Sequence, residues 1–147
     1  MERILSLLAA LLISVSLMGQ DGKVFHAGIE TSVDCFAVSG GRISPSIGLG
    51  ALVRLGRDEQ WINLVGGVRY IYGMRLSGFQ IPVLLDVNLL RGGQFSAYLG
   101  GGYEFDFIGS YLGCTTFNTG LRYGRLDMRV FYKPYQGDLG AGLSYYF

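Results

Sequence analysis

From residue 25 onward, apolar and polar residues alternate with a period of two, the spacing that puts successive side chains on opposite faces of a β-strand. Phe25, Ala27, Ile29, Thr31 and Val33 alternate with His26, Gly28, Glu30, Ser32 and Asp34. The same alternation recurs over 43–55, 62–72, 79–89, 95–105, 117–123, 126–132 and 139–147. Gly56-Arg57-Asp58-Glu59, Arg91-Gly92-Gly93-Gln94 and Gly124-Arg125 interrupt it abruptly and read as tight turns. Eight strands result, close to the about 9–11 residues that cross a bilayer at a tilt of about 45°. An even number of strands, with short connections at one end, predicts an all-β fold: an eight-stranded antiparallel up-and-down transmembrane β-barrel. The longer connections are expected at 36–42, 73–77, 107–113 and 135–138. Pro82 falls inside the fourth strand, where it removes a ladder donor, so a bulge is expected there.

The first residues follow another pattern. Ile4 to Met18 is a continuous apolar stretch behind Met1-Glu2-Arg3, too short to span as a helix and of signal-peptide length. Residues 1–19 are therefore expected to be a signal peptide, with cleavage after Gly19, and residues 20–147 the barrel domain.

Alternation alone does not say which face looks outward, since soluble barrels bury the apolar face and membrane barrels expose it. Three features choose the membrane arrangement. Phe25, Phe95, Tyr123, Tyr145 and Phe147 gather at one end of the apolar face, and Tyr70, Tyr72, Phe79, Tyr103, Phe105 and Tyr132 at the other. Aliphatic residues lie between these two girdles, as bilayer interfaces favour. Only 16% of residues are charged and 24 of 147 are Gly, too few charges for a solvated face and many small residues for a narrow interior. The chain closes on Tyr145-Tyr146-Phe147, and Tyr145 and Phe147 are expected to serve as the signal read by the barrel assembly machinery.

With the polar face inside, Glu30, Arg69 and Glu104 are expected in the middle and outer lumen, and Asp86, Arg122 and Arg129 in its inner half. An eight-stranded barrel is just wide enough to be filled by side chains. These charges must then pair, because a lone buried charge is costly. A solute pore is not expected at this strand number. Cys35 and Cys114 form an even pair in an oxidising compartment, and a disulfide between them is left open, since their parity differs. His26 is the sole histidine and falls at the inner rim. No Gly-x-Ser-x-Gly elbow occurs, and the glycine pairs do not open helices, so neither a hydrolase of that type nor a phosphate loop is supported. No catalytic residue, metal or cofactor is expected. A net charge of +1 gives no footprint for nucleic acid.

Phe79-Gln80-Ile81-Pro82-Val83-Leu84-Leu85, Tyr98-Leu99-Gly100-Gly101-Gly102 and the closing Gly142-Leu143-Ser144-Tyr145-Tyr146-Phe147 resemble the small outer-membrane β-barrel domains of Bacteroidetes, the PorT-like group. The resemblance implies residence in the bacterial outer membrane and no catalytic residues. The expected function is that of a small integral outer-membrane protein with a side-chain-filled lumen and a structural or interaction role. Its expected partners are outer-membrane lipid and lipopolysaccharide, and it is expected to be a monomer. Two alternatives stand beside it. A lipid-modifying enzyme of the outer leaflet would draw on Ser77, Asp106, Ser110 and Asp138. A soluble periplasmic ligand-binding barrel would turn the apolar face inward.

Overall fold

A computed structural model describes residues 24–38, 42–57, 60–73, 77–107 and 113–147. The expected signal peptide and Ser110 lie outside the described residues. Eight strands follow in chain order: β1 (Phe25–Val38), β2 (Arg42–Leu55), β3 (Ile62–Gly73), β4 (Ser77–Gly92), β5 (Phe95–Phe107), β6 (Cys114–Tyr123), β7 (Leu126–Lys133) and β8 (Asp138–Tyr146). Each pairs antiparallel with the next. β1 also pairs with β8, from Gly28 opposite Tyr146 to Cys35 opposite Leu139, and the sheet closes into a barrel. β1 and β2 continue pairing as far as Val38 opposite Arg42, beyond the clear alternation in the sequence.

Closure fixes the meaning of the alternation. Leu49 is 66% exposed and Leu99 53%, whereas Glu30 is 5% and Asp86 0% exposed. The apolar face therefore points away from the barrel axis, and the inversion that a soluble ligand-binding barrel requires does not occur. The lumen is filled by polar and charged side chains, with Leu52, Val65, Ile71, Leu84, Tyr98, Phe131 and Tyr146 packed among them.

Two local features shape the wall. No bulge forms at Pro82. Gly66 pairs with Val83 and Arg69 with Gln80, so the β3–β4 register is the same on both sides of the proline. The ladder is instead left open between those pairs, opposite Gly67 and Val68, while on its other side Pro82 stays paired with Glu104. The missing donor is absorbed by a gap in one ladder. The bulge lies lower in β4, where the β4–β5 register shifts between Asn88 and Leu90. It turns Leu89 and Leu90 outward together, at 53% and 62% exposure.

The turns at the inner end are tied to one another through the backbone. Gly124 adopts a φ of +56°, which glycine takes without steric penalty. Its N–H donates to Gln94 O at 2.8 Å, and Tyr146 N–H donates to Arg125 O at 2.8 Å. The β6–β7 turn is thus fastened to the β4–β5 turn on one side and to β8 on the other.

Candidate functional site

The charged residues inside the barrel form two tiers. The outer tier centres on Arg69 of β3. Its Nη1 lies 3.1 Å from Glu30 Oε1 on β1, and its Nη2 lies 2.9 Å from Glu104 Oε2 on β5. Its Nε donates to Gln80 Oε1 at 3.1 Å. Lys133 of β7 joins the tier, with Nζ 2.6 Å from Glu104 Oε1 and 3.4 Å from Asp138 Oδ2. Glu30 also accepts a hydrogen bond from Ser144 Oγ at 3.2 Å.

The inner tier centres on Asp86 and Asp127. Arg122 pairs with Asp86 through Nη2 and with Asp127 Oδ2 through Nε at 3.2 Å. Arg129 Nη2 lies 3.4 Å from Asp86 Oδ2 and 3.4 Å from Asp127 Oδ2. Tyr98 holds the centre: its hydroxyl donates to Asp127 Oδ1 at 2.7 Å and accepts from Arg129 Nε at 3.0 Å. The Arg122 guanidinium lies 3.9 Å from the centre of the Tyr98 ring. Asn88 and Asn118 supply further bonds, to Arg122 and Asp86 respectively.

The six lumen charges named from the sequence are thus all buried, with Glu30, Arg69 and Glu104 brought together in one tier and Asp86, Arg122 and Arg129 in the other. Sequence reasoning left out Asp127, Lys133, Asp138 and Tyr98 as members. Parity put Asp127 and Lys133 on the inward face, but their height and partners depend on strand stagger. Tyr98 shares the inward parity of Ser96 and Gly100, but nothing local in the sequence says that its hydroxyl meets Asp127 and Arg129.

Between the tiers lies the Phe131 ring, 4.9 Å from the Arg69 guanidinium. A cavity of about 10 Å³ is lined by Glu30, Arg69, Glu104, Thr116 and Arg129, room for about one water and no solute. At the outer mouth the β7–β8 turn folds inward, and Gln136 Nε2 donates to Asp106 Oδ2 on β5 at 3.0 Å. The lumen is a packed column of ion pairs and hydrogen bonds. Replacing Tyr98 by Phe removes the hydroxyl shared by Asp127 and Arg129 while keeping the ring. The variant is expected to lose about 2 kcal/mol of stability, read as a lower urea midpoint in detergent micelles.

Outside, the aromatic residues form two collars. Phe95 pairs with Tyr123 beside the short turns, and the Tyr145 and Phe147 rings stand 5.7 Å apart on the same rim. Phe25 begins β1 there, opposite Leu55. Trp61, unassigned in the sequence because it sits in a turn, joins this collar and carries the Arg91 guanidinium 3.8 Å from its ring centre. At the other end Tyr70 packs on Phe79 at 5.1 Å and Tyr103 on Phe105 at 4.9 Å, with Tyr72 and Tyr132 exposed nearby. Phe107 and Phe117 extend that collar.

The Cys35–Cys114 disulfide is not formed. Both cysteines are free, with Cys35 exposed on the outer face and Cys114 buried inside, its Sγ 3.8 Å from Asp106 Oδ2. The wall of the barrel separates the two thiols. His26 is at the inner rim, its ring 6.4 Å from that of Tyr146. Among the described residues, no group of three or more His, Cys, Asp or Glu is placed to hold a metal ion.

No protein-family model and no curated protein matches the sequence. Solved structures similar to it include a de novo designed transmembrane β-barrel, at 14% identity and a TM-score of 0.55, covering 87% of this chain and all of the designed one. The N-terminal β-barrel domain of Pseudomonas aeruginosa OprF is similar at 16% identity and a TM-score of 0.52, covering 83% of this chain and 97% of that domain. At such identities the likeness is one of fold, and the fold is the closed eight-stranded antiparallel barrel that those membrane proteins share.

Proposed function

We propose that this chain is a small integral protein of the bacterial outer membrane, without enzymatic activity, whose barrel serves a structural or interaction role and passes no solute. The observation that carries this reading is the inversion of the wall: ion pairs and hydrogen bonds inside, aliphatic side chains outside, and an aromatic collar at each end. In water, such an exterior would be a single apolar patch far larger than soluble monomers carry. In a bilayer it is the surface lipid requires. The closed column between the tiers supports a sealed barrel over a channel. Kinship with the PorT-like group rests on the three stretches that resemble it. For the enzyme alternative, Asp106 is engaged by Gln136 and Asp138 by Lys133, and the sole histidine is at the opposite rim.

The test is electrophoretic mobility of the detergent-extracted envelope, unheated against boiled. A detergent-resistant barrel is expected to migrate faster before heating and to shift on boiling. Recovery of the mature protein in an osmotic-shock fraction, with no shift, would defeat the membrane reading.

A further inference from the structure

The outer lumen is not balanced in charge. Five carboxyl groups are buried there, Glu30 and Asp34 on β1, Glu104 and Asp106 on β5 and Asp138 on β8, none more than 5% exposed. Among the described residues, two cations face them, Arg69 and Lys133. Arg69 is shared by Glu30 and Glu104, at 3.1 and 2.9 Å. Lys133 lies 2.6 Å from Glu104 and 3.4 Å from Asp138. Asp106 is met by neutral groups, Gln136 Nε2 at 3.0 Å and Cys114 Sγ at 3.8 Å. The two glutamates therefore hold the cations at short range, and the three aspartates are in excess.

Asp34 is the extreme case. It is fully buried, its Oδ2 accepts one long bond from Ser32 Oγ at 3.4 Å, and its Oδ1 has no hydrogen-bond partner. Oδ1 lies beside Gly140, where an added methyl group would also strike the Phe131 ring. The charged groups around Asp34 are Arg69 of β3, Lys133 of β7, Asp138 of β8 and Glu104 of β5, and β2 offers the neutral Ser46. Both cations are already engaged by the glutamates. An ionised Asp34 would be a buried charge with neither a close partner nor water, whereas a neutral carboxyl group needs neither.

We propose that the outer end of the lumen is a proton-binding site centred on Asp34, which holds a proton while the barrel is folded and releases it on unfolding. Acid then tightens this end of the barrel and alkali loosens it. The sign follows from linkage. The folded state binds the extra proton, so the stabilisation is complete below the carboxyl range of the unfolded chain, about pH 4, and declines as the pH rises above it. Ion-paired carboxylates such as Glu30 and Glu104 act in the opposite sense in strong acid, so the comparison is kept at pH 5 and above. The site depends on the closed barrel alone, whatever role the barrel serves.

The experiment is urea unfolding in detergent micelles at pH 5 and pH 8, for the full chain and for Asp34→Asn. The folding equilibrium constant of the wild type is expected to fall about tenfold between the two pH values. Asp34→Asn keeps the shape but cannot ionise. It is expected to exceed the wild type about tenfold at pH 8 and to lose most of the pH dependence. His26, at the opposite rim, can also change charge in this window, but it is common to both proteins, so the difference between the slopes belongs to Asp34. An Asp34→Asn barrel that is weaker than the wild type at pH 8 and keeps the wild-type slope overturns the site. So does a wild-type midpoint at pH 8 that millimolar magnesium restores to its pH 5 value, since a metal ion would then balance the charge. If Asp34→Asn shows no mobility shift on heating, the wild-type infrared spectrum decides. A protonated carboxyl band is expected in the folded barrel at pH 7 and is lost on unfolding; its absence from the folded barrel overturns the site.

Discussion

Replacing Arg69 by Met is expected to destabilise the barrel by about 3–5 kcal/mol, because it removes one partner of a buried ion cluster and leaves the others in place. Glu30 and Glu104 lose contacts of 3.1 and 2.9 Å, and Gln80 loses the donor at its Oε1. Glu104 keeps the Lys133 ammonium, whereas Glu30 keeps the neutral Ser144 hydroxyl, so Glu30 is the more exposed to the loss. The penalty comes from stranding a carboxylate in the lumen rather than from the worth of the ion pair itself. Adding Glu30→Gln to Arg69→Met should therefore recover at least half of the lost stability. Urea unfolding in micelles, followed by the heat-sensitive mobility, measures both. A double variant no more stable than the single one would place the damage in the lost stacking of the Arg69 guanidinium on Phe131, not in the stranded carboxylate.

Gly102→Ala is expected to cost about 3 kcal/mol, although it adds a single methyl group. A Cβ at Gly102 would collide with the backbone oxygen of Val83 and lie 2.8 Å from Leu84 Cα. Both obstacles are main chain of the neighbouring strand, so no rotamer change can relieve them. Gly66 provides the control. A Cβ there meets only Pro82 O, at 3.6 Å, an ordinary contact. Gly66→Ala should be neutral or gain up to about 1 kcal/mol by narrowing the unfolded ensemble. The same urea series compares the two, and equal effects would show that close strand approach at Gly102 is not what the glycine serves.

The strands and their faces were legible in the sequence because the two-residue period is a property of the extended backbone. It needs no knowledge of what lies opposite. Parity likewise placed Glu30, Arg69, Asp86, Glu104, Arg122 and Arg129 inside. Which charges meet was not legible, because that depends on how far each strand is staggered against the next. Lys133 reaches Glu104 across the lumen, 29 residues away in sequence, with no local signal to announce it. Pro82 misled for a related reason. A proline can be absorbed by a bulge or by an open ladder, and the choice depends on its neighbour; Gly67 lies across from it, with no side chain to crowd the gap. The cysteines were limited by parity alone, which already set their side chains on opposite faces.

The pairing of β1 with β8 has a consequence for how the barrel forms. Every other pairing joins strands that follow one another in the chain, so each can zip up as a hairpin from its own turn. Only the contact of Gly28 with Tyr146, and those beside it, must bring together distant parts of the sequence. Loop-closure entropy rises slowly with length, but pairing of remote segments is slow, so this seam sets the order of events. Until it closes, β1 and β8 are bare edges, and each unpaired peptide group in hydrocarbon costs several kcal/mol. An open sheet therefore has no stable place within the bilayer. Insertion and sealing of the seam must proceed together, or another strand must cover the two edges until they find each other.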